Sequence, residues 1–321
     1  MTGTSDLRGK TVFVVGGSGG LGREMSKVMA AQGANITIFG RKQNLLDEAK
    51  SEILAARLDE SQNVHAVAGD MGIASNAYSL LDSQPVIPDI LYCVAGGTPT
   101  ELGFLLDLEP EVFERCMNNN YYSSVYPAQA VLKGWTKDDE NAETPSRPKI
   151  RKILFVNSSA SLVPAPGYLA YSEAAKAAQR ALADTLRLEA MRYSGPKSTY
   201  IVQCIFAHNY ITPTFLEEQK NKPDLTKRIE RTNADLTSLE KDFPYAHKIA
   251  PEIVAAAASN DFAVMDKRLG PQVLWANMIG SSPKRGWGIV DSLLAFVMFL
   301  AFPFVRRDME AMCKGDALKK G

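Results

Sequence analysis

Hydride addition to a carbonyl creates an alkoxide that must receive a proton. A tyrosine can supply it where a neighbouring cation lowers its pKa, and a second hydroxyl must hold the carbonyl in place. One stretch offers a hydroxyl, a phenol and an ammonium together: Val156-Asn157-Ser158-Ser159-Ala160, then Gly167-Tyr168-Leu169-Ala170-Tyr171-Ser172-Glu173-Ala174-Ala175-Lys176. As ordinary structure the same residues read as a strand-end serine and a packed tyrosine. A second cluster, Gly16-Gly17-Ser18-Gly19-Gly20-Leu21-Gly22, has the composition of a phosphate-binding turn. Small residues there let the backbone approach a pyrophosphate, and a following helix presents free N–H groups to it.

Both clusters need a scaffold that brings them to one edge. Residues 11–15 form an apolar run that ends in the glycines, and helical spacing of Met25, Val28 and Met29 follows. Further apolar runs at 34–39, 64–68, 87–94, 150–156 and 200–206 read as buried parallel strands. Helical patterns separate them at 45–58, 110–135 (one long helix or a broken pair) and 171–192. This alternation predicts an α/β fold, a Rossmann-type doubly wound parallel sheet. Residues 136–148 read as an exposed loop and 215–247 as a charged, helical, lid-like segment. No linker divides the chain before about residue 265, so the expected organisation is a nucleotide-binding domain over 1–265 and a C-terminal segment over 266–321.

The end of the second strand bears on the nucleotide. Binders of NAD place an acidic residue there for the ribose hydroxyl, and this chain has Gly40-Arg41-Lys42. Arg41 and Lys42 would attract a 2′-phosphate, which favours NADPH, and Ser18 could add a hydroxyl. A solvated basic turn is the plainer alternative. Asp70 closes the third strand, where its carboxylate could accept the adenine amino group or merely cap a helix. Lys+Arg and Asp+Glu each number 36, so no basic excess suggests nucleic acid. Cys93, Cys116, Cys204 and Cys313 are widely spaced, without metal-ligand spacing, which suits a reduced, cytosol-facing protein. The first ten residues lack the apolar run of a signal peptide.

Over residues 8–215 the chain resembles the short-chain dehydrogenases/reductases, through the glycine turn, Ala95-Gly96 and the Ser…Tyr…Lys stretch. More narrowly it resembles the 3-ketodihydrosphingosine reductases of fungi. That likeness runs through Cys93-Val94-Ala95-Gly96-Gly97, Phe113-Glu114-Arg115, Asn120-Tyr121-Tyr122, Tyr126-Pro127-Ala128 and the stretch Ser158 to Tyr171. The resemblance implies reduction of a long-chain lipid ketone, 3-ketodihydrosphingosine, to dihydrosphingosine with NADPH in sphingolipid synthesis, at the cytosolic face of the endoplasmic reticulum membrane. It makes Ser158 the carbonyl-holding hydroxyl, Tyr171 the proton donor and Lys176 its cation and a contact to the nicotinamide ribose. Asn120 would support the proton relay. Gly16, Ser18, Gly19, Gly20, Gly22, Arg41, Lys42, Asp70 and Ala95 would hold the cofactor, with Ile211 and Thr212 following along it.

Two departures from the family pattern stand out. The family spacing is Tyr-x-x-x-Lys, but Lys176 lies five residues after Tyr171. On an α-helix four residues leave an offset of about 40° and five leave about 140°, which turns the lysine away unless a π-bulge absorbs the extra residue. The alternative register places Ser172 where the tyrosine belongs. The second departure is Ala207-His208, where many relatives carry Pro-Gly; a lone loop histidine reads as structural or solvent-facing. Finally, residues 287–305 form an apolar run of 19 residues, flanked by Lys284-Arg285 and Arg306-Arg307. Its length approaches the ~20 residues of a bilayer span, so a membrane-associated C-terminal helix is expected, either spanning or lying in the interface. Two other functions stay open: reduction of another lipid ketone (a steroid or 3-ketoacyl compound), and a non-catalytic, membrane-anchored NADP(H)-binding protein. The sequence leaves open whether copies of the chain associate.

Overall fold

The computed structural model describes residues 6–162 and 165–268, with eleven scattered positions from Gly270 to Ala311. Seven parallel strands form one sheet: β1 (Thr11–Val15), β2 (Asn35–Gly40), β3 (Val64–Ala68), β4 (Ile90–Cys93), β5 (Lys149–Ser158), β6 (Ser198–Ala207) and β7 (Ala263–Val264). Their order is β3-β2-β1-β4-β5-β6-β7. Between β1 and β4 the order reverses, and in open α/β sheets a crevice for ligands forms at that point, beyond the carboxyl ends of the strands.

Burial on both faces explains why the central strands read as largely apolar runs. Val12 and Val14 feed one core layer with Met25, Met29, Ile36 and Ile253, while Phe13 and Val15 feed the other with Phe39, Trp135 and Phe155. The helices are α1 (Gly20–Ala31), α2 (Gln43–Ala55), α3 (Ala74–Asp82), α4 (Pro110–Met117), α5 (Ser123–Asn141), α6 (Ala177–Tyr193), α7 (Pro213–Asn221), α8 (Asp224–Glu230), α9 (Leu236–Asp242) and α10 (Ala246–Ala256). A π-helical turn, Asn118–Tyr122, joins α4 to α5, and a second π-helix, Leu169–Lys176, leads into α6.

The helical pattern over 110–135 therefore breaks at a widened turn rather than ending. The loop expected over 136–148 is shorter, because α5 continues to Asn141. Its last turn is held by Asp138, which pairs with Lys149 and Arg151, and by Asp139, which accepts from Ser198 and Tyr200. The segment 215–247 holds α7, α8 and α9, as its charge pattern predicts. Of the apolar run 287–305, most lies outside the described residues. Ile289, Phe296, Phe299, Leu300, Pro303 and Phe304 are described, helical and exposed. Among the described residues no helix is long and apolar enough to cross a membrane.

Candidate active site

At the switch point the glycine turn leaves β1 and meets the loop after β4. Gly16 has φ +88°, and any side chain there would overlap the Ala95 backbone. Ala95 itself donates its N–H to Val15 O at 2.8 Å. Gly22 packs against the Gly16 carbonyl, which lets α1 start close under the turn. A Cβ on Gly19 would meet nothing within 4 Å, so this side of the turn is open. α1 begins at Gly20 with no side-chain cap and no acidic residue in its first turn. Its first N–H groups are left for an anion. Arg23 steadies the turn by donating to Ser18 O (2.7 and 3.1 Å), while Glu52 takes its remaining charge.

Arg41 and Lys42 are exposed at the end of β2, and Arg41 donates to Asn119 Oδ1 at 3.0 Å. The Ser18 hydroxyl lies against Gly40, between the turn and this basic pair. One oxygen of Asp70 accepts from Gly72 N at 2.9 Å, so a tight turn uses half of the carboxylate. Ile211 lies in the loop between β6 and α7. Its side chain is buried among Phe215, Leu239 and Phe243. Its N–H donates to Pro244 O and its carbonyl accepts from Ala246 N. From this loop it is Thr212 that reaches the glycine turn, its methyl 3.6 Å from where a Cβ on Gly20 would stand.

The five-residue spacing meets its answer in the backbone. A π-helix bonds each N–H five residues back, so residues five apart share a face. Ala177 N–H donates to Ser172 O in this way, closing the π-helix Leu169–Lys176. Lys176 Nζ consequently lies 5.9 Å from the centre of the Tyr171 ring. Ser172, the alternative register, is fully buried and bonds Tyr168 O and Glu173 instead. Ser158 stands at the end of β5 and is part-exposed; its hydroxyl oxygen accepts from Ala160 N at 3.2 Å.

The second π-turn brings Asn120 to the same point. Asn120 Oδ1 accepts from Gly97 N (2.8 Å), and Nδ2 donates to Gly97 O and Cys116 O. Gly96 lies between the two elements: a Cβ there would stand 2.5 Å from Asn120 Oδ1 and 3.3 Å from Lys176 Nζ. Lys176 donates to Val156 O (2.7 Å) and Gln179 Oε1 (3.3 Å). Gln179 and Asn157 complete the inner layer. Asn157 Nδ2 donates to Lys176 O and Gln179 Oε1, and Gln179 Nε2 donates to Ser124 Oγ.

Burial dominates the electrostatics of this layer. It lowers the Lys176 ammonium to about 8 and holds the Tyr171 phenol well above its usual 10, so the phenol keeps its proton at neutral pH. Cys93, Cys116 and Cys204 are buried around Lys176; burial pushes Cys116 up to about 12 and raises the other two further. His208 is not a base in this site. Its Nδ1 accepts from Asn209 N at 2.7 Å, and burial and Arg268 lower its pKa.

Two groups of residues beside the site escape a reading of the sequence. Gln179 carries a weak signal, three residues after Lys176 and hence on its face of the helix. The other group, Tyr168, Glu218, Lys222 and Glu230, carries none. The Tyr168 hydroxyl donates to Glu218 and to Glu230 (3.0 Å), although these partners are 50 and 62 residues away in the chain.

A glycine turn at a sheet switch point, facing a half-buried tyrosine beside a buried lysine, defines a nucleotide-dependent oxidoreductase site. The family model for short chain dehydrogenases matches residues 10–222, and the chain belongs to that family. Among its relatives is a PIGF/3-ketodihydrosphingosine reductase fusion protein of Schizosaccharomyces pombe, 32% identical over 97% of this chain; the chain spans 58% of that protein. A 3-ketodihydrosphingosine reductase of Aspergillus fumigatus is 28% identical over 98% of this chain and 86% of its own length. The Bos taurus 3-ketodihydrosphingosine reductase is 29% identical over 98% of this chain and 91% of its own. Levodione reductase shares the fold with a TM-score of 0.66 at 18% identity, covering 83% of this chain and 98% of that one. A short-chain dehydrogenase from Sphingobium yanoikuyae, solved with NADPH, has a TM-score of 0.63 at 18% identity, covering 84% and 92%.

Proposed function

We propose that the chain reduces the 3-keto group of 3-ketodihydrosphingosine to dihydrosphingosine with NADPH, a step of sphingolipid biosynthesis. The π-helix that returns Lys176 to the Tyr171 ring carries the catalytic half of this reading. The substrate half rests on relatives of that name, matched over nearly the whole chain. The cofactor half rests on the open, uncapped glycine turn and on Arg41 where an acidic residue would favour NAD.

When bound, NADPH supplies the hydride. Gly16, Ser18, Gly19, Gly20 and Gly22 would cradle its pyrophosphate, with Arg41 and Lys42 toward the 2′-phosphate, Asp70 toward the adenine and Ala95 beneath the turn. Ser158 holds the carbonyl oxygen. Tyr171 gives its proton to that oxygen as negative charge develops there, and the Lys176 ammonium stabilises the phenolate left behind. Asn120 and Gln179 keep the lysine and the Gly97 backbone in place. The π-helix counts against a non-catalytic reading, which rested on the five-residue spacing. The reading extends to membrane association through 287–305 and to the endoplasmic reticulum membrane, with the catalytic domain facing the cytosol. Its support is the 19-residue apolar run and the lipid nature of the proposed substrate.

The test mixes purified protein in detergent with NADPH and 3-ketodihydrosphingosine and follows NADPH oxidation. Turnover should fall by about 10²–10⁴-fold in Tyr171→Phe with NADPH binding retained. Equal turnover in that variant removes Tyr171 as the proton donor, and no turnover by the wild type overturns the function.

A further inference from the structure

Holding Lys176 in place would not by itself call for an amide at position 179; what the amide adds rests on the reductase reading. Gln179 is wholly buried and makes all four hydrogen bonds open to its side chain. Its Oε1 accepts from Asn157 Nδ2 (3.0 Å) and Lys176 Nζ (3.3 Å). Its Nε2 donates to Ser124 Oγ (2.7 Å) and to the Asn120 carbonyl (3.3 Å). The amide cannot be reversed, because Lys176 only donates and Asn157 is committed in the same sense. Asn157 Oδ1 accepts from Ser158 N (2.8 Å) and Ser161 Oγ (2.7 Å), which turns Nδ2 toward Lys176 O and Gln179. A backbone N–H at Ser158 thus fixes, through two amides, the atom that Lys176 meets.

Lys176 is a buried cation without a counter-charge. Among the described residues no carboxylate comes within ion-pair distance of it, and its acceptors are Val156 O (2.7 Å) and Gln179 Oε1. The titratable groups that face it are Tyr171 on its own π-helix, Cys93 on β4, Cys116 on α4 and Cys204 on β6. Burial keeps the phenol and the three thiols protonated at neutral pH, so none of them offsets the ammonium. Val156 O belongs to the sheet backbone and stays whatever the side chains are. Among the described residues Gln179 therefore supplies the one side-chain oxygen on the charged lysine. A hydrogen bond to an ion in a dry layer is stronger than one between neutral groups. An ammonium carries three N–H groups; two are taken, and the third is left for the phenolate that Tyr171 becomes. Burial brings Lys176 to about 8, so its loss of charge falls where the enzyme can be assayed.

We propose that Gln179 is a positioning residue that sets the upper pH limit of the reaction, by keeping Lys176 an ammonium with one N–H free for Tyr171. No bond is made or broken at Gln179, which acts only through the lysine. The reaction needs the charged form, so activity falls as pH rises through the lysine's pKa. A weaker acceptor at position 179 moves that fall to lower pH, and a stronger one moves it to higher pH.

The experiment takes two readouts from the wild type, Gln179→Leu and Gln179→Glu. One is the pH profile of kcat/KM for 3-ketodihydrosphingosine at saturating NADPH. The other is the NMR titration of the Lys176 Cε signal in cofactor-free protein, assigned by its absence from Lys176→Met. In Gln179→Leu both midpoints should fall by about 1–2 pH units. In Gln179→Glu both should rise by about 1 unit or more, because a carboxylate accepts the same bond and adds a negative charge. Loosened packing alone would lower turnover by the same factor at every pH. Midpoints that stay within about 0.3 unit of wild type in both variants, or move the same way in both, overturn the role of Gln179 and leave the reductase reading standing. Where Gln179→Leu does not fold, Gln179→Glu decides alone: a rise upholds the role and its absence overturns it. A wild type that consumes no 3-ketodihydrosphingosine overturns the reductase reading, and the pH limit with it, even where the NMR midpoints move.

Discussion

Replacing Lys176 by methionine should inactivate the enzyme and change how stability depends on pH, and the second effect can be sized. Burial brings the lysine from an ordinary 10.5 to about 8. That depression corresponds to about 3 kcal/mol against the charged form in the fold. Below pH 8 both folded and unfolded chains hold the proton, so the full penalty is present. Between pH 8 and 10.5 the folded chain holds fewer protons than the unfolded one, and stability from this group rises with pH. Lys176→Met removes the charge and also loses the bonds to Val156 O and Gln179 Oε1. The lost bonds cost the variant a similar amount at every pH. The difference in unfolding free energy, variant minus wild type, should therefore fall by about 2–3 kcal/mol between pH 7 and pH 10. Urea unfolding of the two proteins at both pH values measures it. An unchanged difference would refute the claim that Lys176 is buried as an ammonium.

Three further outcomes are expected. Arg41→Ala should raise KM for NADPH by about 10- to 100-fold and leave KM for NADH within about 2-fold, in steady-state assays with each nucleotide; an equal effect on both would remove the 2′-phosphate contact. Deleting Ala174 puts the lysine four positions after the tyrosine, a spacing that an ordinary α-helix aligns as the π-helix aligns five. Turnover should then stay within about 10-fold of wild type, and its complete loss would show that the widened turn does more than correct register. A chain ending at residue 285 should remain in the supernatant when sedimented with phospholipid vesicles, whereas the full chain pellets; pelleting of both would show that the apolar run is not the sole anchor.

The strand–helix alternation was readable because parallel strands covered on both faces are largely apolar, as Val12–Val15 and most of residues 34–39 are. The shortest pieces were not. β7 has two residues, and α3 carries too few apolar positions to announce itself. The end of α5 depends on partners supplied by β5 and β6, so local composition favoured a loop where Asp138 and Asp139 sustain a helix. At the site, the glycine turn and the Ser158–Lys176 stretch are local and could be read. The odd spacing was visible as well, but its resolution needed the backbone. The bonds of Ile211 to Pro244 and Ala246 could not be read either, because side-chain type does not show which way a loop turns its amides. The Tyr168–Glu218–Lys222–Glu230 cluster exists only once α7 and α8 fold back over the π-helix.

The three cysteines around Lys176 give the catalytic layer a built-in clock. Thiols held well above their usual pKa are poor nucleophiles, so Cys93, Cys116 and Cys204 stay silent toward alkylating reagents while the layer is closed. Each becomes reactive only when its own cover opens: β4 for Cys93, the end of α4 for Cys116, β6 for Cys204. Modification rates at the three positions would therefore rank how often the sheet and the π-turn breathe, and binding of cofactor at the switch point should slow them unequally.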